Sequence, residues 1–293
     1  MFFLDEKKLF DQLLELIRVT STTLPNDIMQ ALLAAVEVED DGSPAKSVLI
    51  KLIENVELAT QNSTPVCQDT GTNIYYVNYP CGVSTERVRD VINCATVTAT
   101  KKLYLRPNSV NSITGVNSGD NTGVDAPQVH FEEWDEPYIK IKLMLKGGGS
   151  ENVSTQYTLP DSIISAGRNL TGVYKCVIDA VNKAQGLGCA PGIIAVGIGG
   201  DRASGMKLAK KQLFRKLDDI NNDPQLAELE TKLLNDINSL GIGPMGFGGK
   251  TTALSVKIGA LHRLPASFFV SIAYMCWACR KGEIDFQLKQ EEL

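Results

Sequence analysis

The run GIIAVGIGG at residues 192–200 sets the tightest limit on what this chain can fold into. It contains no polar residue and closes on two glycines, and a short uninterrupted apolar run of that kind reads as a buried strand entering a glycine turn. Helical patterns flank it, over 161–186 before and over 201–217 and 224–240 after, the last two rich in Lys, Leu and Glu. A buried strand set among helices requires a layered structure of mixed class. No stretch approaches the roughly 18 uninterrupted apolar residues of a membrane-spanning helix, so none is expected.

The rest of the chain fills in that class. Leu9, Leu13, Leu16 and Ile17 recur at helical spacing behind Asp5, a capping residue. Ser43-Pro44 is a second helix start, and Val48 to Leu58 continues it with one apolar face. NIYYVNY reads as a strand, Ser84 to Tyr104 as a helix. Residues 105–127, rich in Asn, Ser, Thr, Gly and Asp, form a long loop, a kind of segment that is usually functional or disordered. VHFEEW and YIKIKLML flank Asp135-Glu136-Pro137 and predict a β-hairpin. LGIGPMGFGGKTTALSVKIG and ASFFVSIAYMCWACRKG give glycine loops and two further strands. The expectation is α/β mixed (α+β): a helical N-terminal portion, then a mixed β-sheet with flanking helices. One domain is expected over 1–293, with a helical subregion over 1–60.

Charge and cysteine usage narrow the partners. The net charge is −5 and the sequence pI about 5.2, which gives no basic field for nucleic acid or an acidic membrane face. MFFLDEKKLF has acidic residues by position 6 and no long apolar core, unlike a secretory signal. Seven cysteines, an odd number, argue against a disulfide framework and for a reducing, cytoplasmic address.

Two glycine signals resemble nucleotide-binding turns and both fail on one position. Gly197-Ile198-Gly199-Gly200-Asp201-Arg202 has Arg202 where G-x-G-x-x-G needs the glycine that lets helix and strand pack closely. Gly249-Lys250-Thr251 resembles the end of a P-loop, yet Pro244 stands at the first glycine and supplies no N–H to a phosphate. What survives is a set of turns where backbone can approach a small ligand or cluster closely.

The cysteines carry more chemistry. Cys94 and Cys176 lie in apolar-periodic helices and read as core residues, and Cys81 as a turn residue. Cys67 in VCQDTG, Cys189 in GLGCAPG and Cys276 after SFFVSIAYM stand instead at loops, where ligands gather. Three cysteines can hold a tetrahedral zinc or an iron–sulfur cluster with one open position. Cys276-Trp277-Ala278-Cys279 is also a C-x-x-C; a zinc ribbon would need a second one, whereas a thioredoxin-like pair would need a strand-to-helix context. From the residues alone, metal cluster, redox pair and structural thiols all remain open.

VCQDTGT, KGGGS, GCAPGIIAVGIGG, GIGPMGFGGKTTALSVKI and ASFFVSIAYMCWA, in this order across nearly the whole chain, resemble the α subunit of iron–sulfur hydro-lyases, the class I fumarase and L-tartrate dehydratase family. The resemblance implies a [4Fe-4S] cluster held by Cys67, Cys189 and Cys276 with one iron open to substrate, and leaves Cys279 outside the ligand set. It implies that Gln68 and Asp69 reach the substrate, with Asp69 an acid/base, that Arg106 in YLRPNS holds a substrate carboxylate, and that Gly148 and Gly149 supply backbone donors. It implies reversible hydration of fumarate to L-malate, with L-tartrate or a methylated C4 diacid as the in-family alternative. QDTGT rather than QDTGE, together with GGKTTAL, favours fumarate. Because the chain stops at Leu293, shortly after Cys276, a separate β subunit is expected to complete the site in an α2β2-like hetero-oligomer acting on a C4 dicarboxylate. One departure stands out: where the family has a histidine in an R-H-P-A-S-like stretch, this chain has Leu264, with His262 two residues earlier.

Plainer readings compete with each of these. Asp69 can cap local N–H groups as a turn-former, and Arg106 can be a cation favourable to a helix C-terminus. His130 reads as a strand packing or surface residue, and Lys207, Lys210, Lys211, Arg215 and Lys216 as a solvated helix face. The competing function class is a non-catalytic redox or cluster-carrier protein that uses Cys276 and Cys279.

Overall fold

The computed structural model describes residues 2–290 and confirms a mixed α/β class. The chain opens with a short strand β1 (Phe2–Phe3) and helices α1 (Glu6–Thr22), α2 (Asn26–Val38) and α3 (Pro44–Asn62). Strand β2 (Thr72–Pro80), helix α4 (Thr85–Lys101) and strands β3 (Gln128–Trp134) and β4 (Tyr138–Lys146) follow. A five-residue helix α5 (Gly148–Asn152) and strand β5 (Thr155–Thr158) lead to α6 (Leu170–Ala184) and β6 (Gly192–Ile198). Helices α7 (Arg202–Gln212) and α8 (Pro224–Asn238) precede β7 (Ala253–Ala260), β8 (Phe269–Met275), β9 (Arg280–Gln287) and β10 (Lys289–Gln290).

Backbone contacts gather these elements into two compact units. Among the described residues, the first comprises 2–25, 55–147 and 280–290, the second 26–54 and 148–279. In the first, the sheet order is β3-β2-β4-β9, with β2 and β3 parallel and the other neighbours antiparallel. Asp5 accepts from Lys8 N–H to start α1, and Ser84 accepts from Arg87 N–H to start α4. Leu9, Leu13 and Ile17 of α1, with Val88, Ile92 and Ala95 of α4, form a core with Ile139, Ile141, Leu143 and Leu145 of β4. Each such large aliphatic side chain contributes about 1.5–3 kcal/mol on burial. The alternation in β4 turns Lys140 and Lys142 to the other side, where they meet Asp285 and Glu283 across the β4–β9 pair at 3.3 and 3.7 Å.

The expected hairpin at 135–137 is not there. β3 and β4 each pair with β2, which lies between them. Two strands flanking a third stand about 9.6 Å apart, which three linking residues can span. The link crosses at Pro80, which aligns with Trp134 and lacks the N–H to carry the ladder further. A T-shaped Trp134–Tyr138 ring pair and a 2.9 Å bond from Trp134 Nε1 to the Tyr138 carbonyl close the crossing. Because β2 and β3 are parallel, α4 and the 105–127 loop form the crossover between them. That loop is shaped by its own side chains: Asn111 accepts from Ile113 and Thr114 N–H, Asn117 from Gly119 N–H and Asp120 from Thr122 N–H.

In the second unit the order is β5-β8-β6-β7, with β6 parallel to β7 and antiparallel to β8. Every residue of β6 is buried. Ile194, Val196 and Ile198 join a core with Val173 and Val177 of α6 and Leu229, Leu233 and Ile237 of α8. On the opposite face Gly197 meets α7, so closely that a Cβ there would stand 2.3 Å from the Gly205 carbonyl. Helix α6 begins at Leu170 with Asn169 as its cap, later than the 161–186 pattern predicts, because Asp161 and Ala166 pair first. Strands β5 and β9 and helix α5 were not anticipated. Each is short or charge-rich, with little apolar periodicity to read.

Gly197→Ala should therefore push α7 off the sheet and lower the unfolding free energy by about 1–3 kcal/mol. A denaturant titration checks this; an unchanged midpoint would contradict the packing.

Candidate active site

The first unit places four of the anticipated residues, Cys67, Gln68, Asp69 and Arg106, on two adjoining loops. Val66 donates to the Ser21 carbonyl at 2.9 Å and accepts from Asn55 Nδ2 at 2.8 Å, which anchors the chain just before Cys67. Cys67 and Asp69 are half-buried and Gln68 is exposed. Asp69 Oδ1 accepts from Gly71 N–H at 2.9 Å, so one oxygen does form the local turn of the plainer reading. Its Oδ2 lies beside Gly147, where a Cβ would stand 3.1 Å away. Gly71 has φ +75°, and a Cβ there would be 2.6 Å from the Lys146 backbone, so this turn requires glycine twice over.

Thr70 ties that turn to the loop carrying Arg106. Its Oγ1 accepts from Arg106 N–H at 3.0 Å and from Asn108 Nδ2 at 3.1 Å. Asn121, buried, clamps the same loop: its Nδ2 donates to the Arg106 carbonyl and its Oδ1 accepts from Asn108 N–H. Arg106 is exposed, and its guanidinium has no hydrogen-bond or ion-pair partner among the described residues. It lies four residues beyond Lys102, the C-cap of α4, outside the last turn where the helix dipole acts. The helix-end reading of Arg106 thus loses its basis.

Sequence reasoning missed Arg280. Its side chain is 1% exposed, Nη1 donates to the Asp69 carbonyl at 2.6 Å, and Nη2 approaches Gly147. No motif marks it, since it opens a charge-rich strand directly after Cys279.

In the second unit Cys189 and Cys276 come to the same end of the β6–β8 pair. Ile193 aligns with Met275, and Trp277 N–H donates to the Cys189 carbonyl at 3.1 Å. Cys189 is half-buried in a left-handed conformation, φ 57° and ψ 64°. That conformation costs a non-glycine residue about 1–2 kcal/mol, and such strain collects at functional sites. Cys276 is buried, its Sγ 3.7 Å from the Ala278 carbonyl. Tyr274 stands beside both thiols: burial raises its phenol pKa above the ordinary range, and Cys276 and then Cys189 push the same way. Gly148 and Gly149 open α5, and a Cβ on Gly149 would be 3.4 Å from the Leu187 carbonyl, two residues before Cys189.

Several plainer assignments change or hold. Cys176 is a core thiol, pushed up to about 12 by burial, but Cys94 is exposed on α4 and is not a core residue. Cys81 is exposed in its turn, and His130 stacks on Tyr76 with ring centroids 4.9 Å apart. Leu264 and His262 lie exposed in the loop between β7 and β8. The Lys207–Lys216 run is not uniformly solvated: Lys210 pairs with Glu151, and Arg215 bridges Asp219 and Glu230. Cys276-Trp277-Ala278-Cys279 joins strand to strand with no helix after it, so the helix N-terminus that activates redox pairs is absent from this motif.

Both nucleotide-like turns are filled by the chain's own carboxylates. Asp201 caps α7 by accepting from Ser204 N–H at 2.7 Å, where a phosphate would otherwise sit. Glu39, 4% exposed, accepts from Lys250 N–H at 2.9 Å and Thr251 N–H at 2.8 Å, closing the GGKT loop.

No disulfide joins any of the seven cysteines, and among the described residues no three His, Cys, Asp or Glu side chains converge as ligands of one ion. An iron–sulfur cluster does not need such convergence, because its cysteines bind different irons. Cys189 and Cys276, presented together beside the buried Tyr274 hydroxyl, fit two corners of such a group. No helix among the described residues is long and apolar enough to cross a membrane.

A sequence model of the fumarate hydratase (fumerase) family matches residues 11–285. A Geobacillus stearothermophilus protein named putative fumarate hydratase class I is 49% identical over 94% of this chain; the match covers 54% of that relative, so the chain spans about half its length. A Methanocaldococcus jannaschii protein named putative L(+)-tartrate dehydratase subunit alpha is 36% identical over 94% of this chain and 96% of its own length. The L(+)-tartrate dehydratase subunit alpha of Escherichia coli K12 is 29% identical over 90% of this chain and 86% of its own.

The Glu39 latch gives a prediction. Glu39→Ala leaves backbone N–H groups without their acceptor and should cost about 2 kcal/mol or more of stability, with Glu39→Gln losing less. Thermal melts of both variants check this; equal melting of Glu39→Ala and the parent would refute the latch.

Proposed function

The chain belongs to the fumarate hydratase (fumerase) family, and from that premise we propose that it is the α subunit of a two-subunit [4Fe-4S] hydro-lyase interconverting fumarate and L-malate. The observation that carries this reading is the Thr70 junction, which fixes the turn bearing Gln68 and Asp69 against the loop bearing Arg106. An acid/base carboxylate and an unpaired guanidinium held on adjoining loops suit a small dicarboxylate.

In the proposed site Cys67, Cys189 and Cys276 hold the cluster, which when bound supplies the Lewis acid for the hydroxyl that leaves or arrives. The planar fork of Arg106 takes one substrate carboxylate in bidentate fashion and orients the dianion. Gln68 hydrogen-bonds the substrate from the same turn, and the Gly148 and Gly149 N–H groups hold another carboxylate oxygen. In dehydration Asp69 Oδ2 accepts the proton from the carbon next to the hydroxyl-bearing one; in hydration it returns that proton. The Arg280 bond to the Asp69 carbonyl keeps the turn, and so the carboxylate, in place.

The 49% identity to the relative named as a class I fumarate hydratase supports fumarate, while the names of the other two keep L-tartrate as the in-family competitor. A separate β subunit completing the site is supported by the near full-length match to a relative named as an alpha subunit. A reducing, cytoplasmic setting is supported by seven cysteines of which none is in a disulfide. The C-x-x-C redox alternative loses support from its strand-to-strand context.

Purified chain should be nearly inactive alone and gain activity with its β partner, with the highest kcat/KM on fumarate among fumarate, mesaconate and L-tartrate. Asp69→Asn, with iron content unchanged, should lower kcat by about 10²-fold or more. Robust turnover by the chain alone, or an Asp69→Asn variant within twofold of the parent, would overturn the corresponding assignment.

A further inference from the structure

Tyr274 is 2% exposed, and its hydroxyl oxygen is fully buried with no hydrogen-bond partner among the described residues. A phenol buried without a partner costs about 1–3 kcal/mol, and a native structure that keeps one needs a reason. The surroundings are built to hold it. Its ring lies on Gly188 and Gly192, which bracket Cys189, and a Cβ on either would come within 2.5 Å of the ring. On Gly192 that Cβ would also stand 2.5 Å from the hydroxyl oxygen itself. The Tyr274 N–H is fixed by a 3.1 Å bond to Ser154 Oγ. Continuing the two-residue period of β8 places Tyr274 and Cys276 on one side of the strand. The Trp277-to-Cys189 bond then closes the pair of cysteines around the same end of the sheet.

We propose that the Tyr274 hydroxyl donates an O–H···S hydrogen bond to a cluster sulfur at the Cys189–Cys276 edge and thereby raises the cluster's reduction potential. The inference rests on the cluster assignment above and assigns Tyr274 a tuning role, as a positioning residue outside the acid/base chemistry. Adding an electron to the cluster increases negative charge on its sulfurs. A donor aimed at a sulfur therefore stabilises the reduced form more than the oxidised one. The two glycines serve this arrangement by letting the ring come close against the Cys189 loop.

The test is a spectroelectrochemical titration of the anaerobically reconstituted full-length chain, comparing the parent with Tyr274→Phe and with Tyr157→Phe. The last removes a hydroxyl elsewhere in the same unit, one that bonds Asp179 at 2.7 Å. Tyr274→Phe should bind the same iron, show a more negative midpoint potential and lose iron faster in air; Tyr157→Phe should match the parent potential. If Tyr274→Phe fails to assemble, 3-fluorotyrosine at position 274, a stronger donor of nearly the same shape, should shift the potential positive. Coincident potentials in loaded parent and Tyr274→Phe would overturn the inference and leave the cluster assignment standing. So would an unshifted potential with 3-fluorotyrosine. A parent chain that takes up no cluster would overturn both.

Discussion

The buried Arg280 guanidinium on the Asp69 carbonyl is the constraint from which the first unit's site follows. A charged hydrogen-bond donor contributes about 1.5–3 kcal/mol when paired, and orphaning it costs at least as much. Arg280 begins β9, an edge strand held along β4, so the turn's position is set by the sheet. Gly71 then presses on Lys146 at the end of β4, and Thr70 carries the register across to Arg106. A turn that looks like a mobile loop in sequence is in this way fixed on three sides.

The fold was legible where apolar periodicity is strong. GIIAVGIGG is a fully buried strand, Asp5 and Ser84 cap the helices they precede, and Leu9, Leu13 and Ile17 face a core. The hairpin reading failed because strand order is decided by which edge of β2 each strand finds, and local turn composition does not contain that information. Cys94 shows the same limit: helical spacing alone did not reveal that its face is exposed. Of the proposed site, Cys67, Asp69, Cys189 and Cys276 stood out through motifs in a fixed order, and Arg106 through the separate stretch YLRPNS. Arg280, Glu39 and Tyr274 did not, since each acts through a contact distant in sequence or through a missing partner.

The failed nucleotide signals now have a physical account. Glycine turns before helices and after strands gather N–H donors that need an anion, and here Asp201 and Glu39 supply it internally. A satisfied cradle has no vacancy for phosphate. Tyr274 is the opposite case, because there the described residues provide a buried donor and no acceptor.

The most direct test of the account is anaerobic reconstitution with iron and sulfide, followed by iron counting and spectroscopy on single Cys→Ser variants. Parent and Cys279→Ser should bind about four irons per chain as a [4Fe-4S] cluster, while Cys67→Ser, Cys189→Ser and Cys276→Ser should each lose or destabilise it. A cluster that depends on Cys279 and persists without Cys67, or a reversible Cys276–Cys279 disulfide with no iron bound, would contradict it.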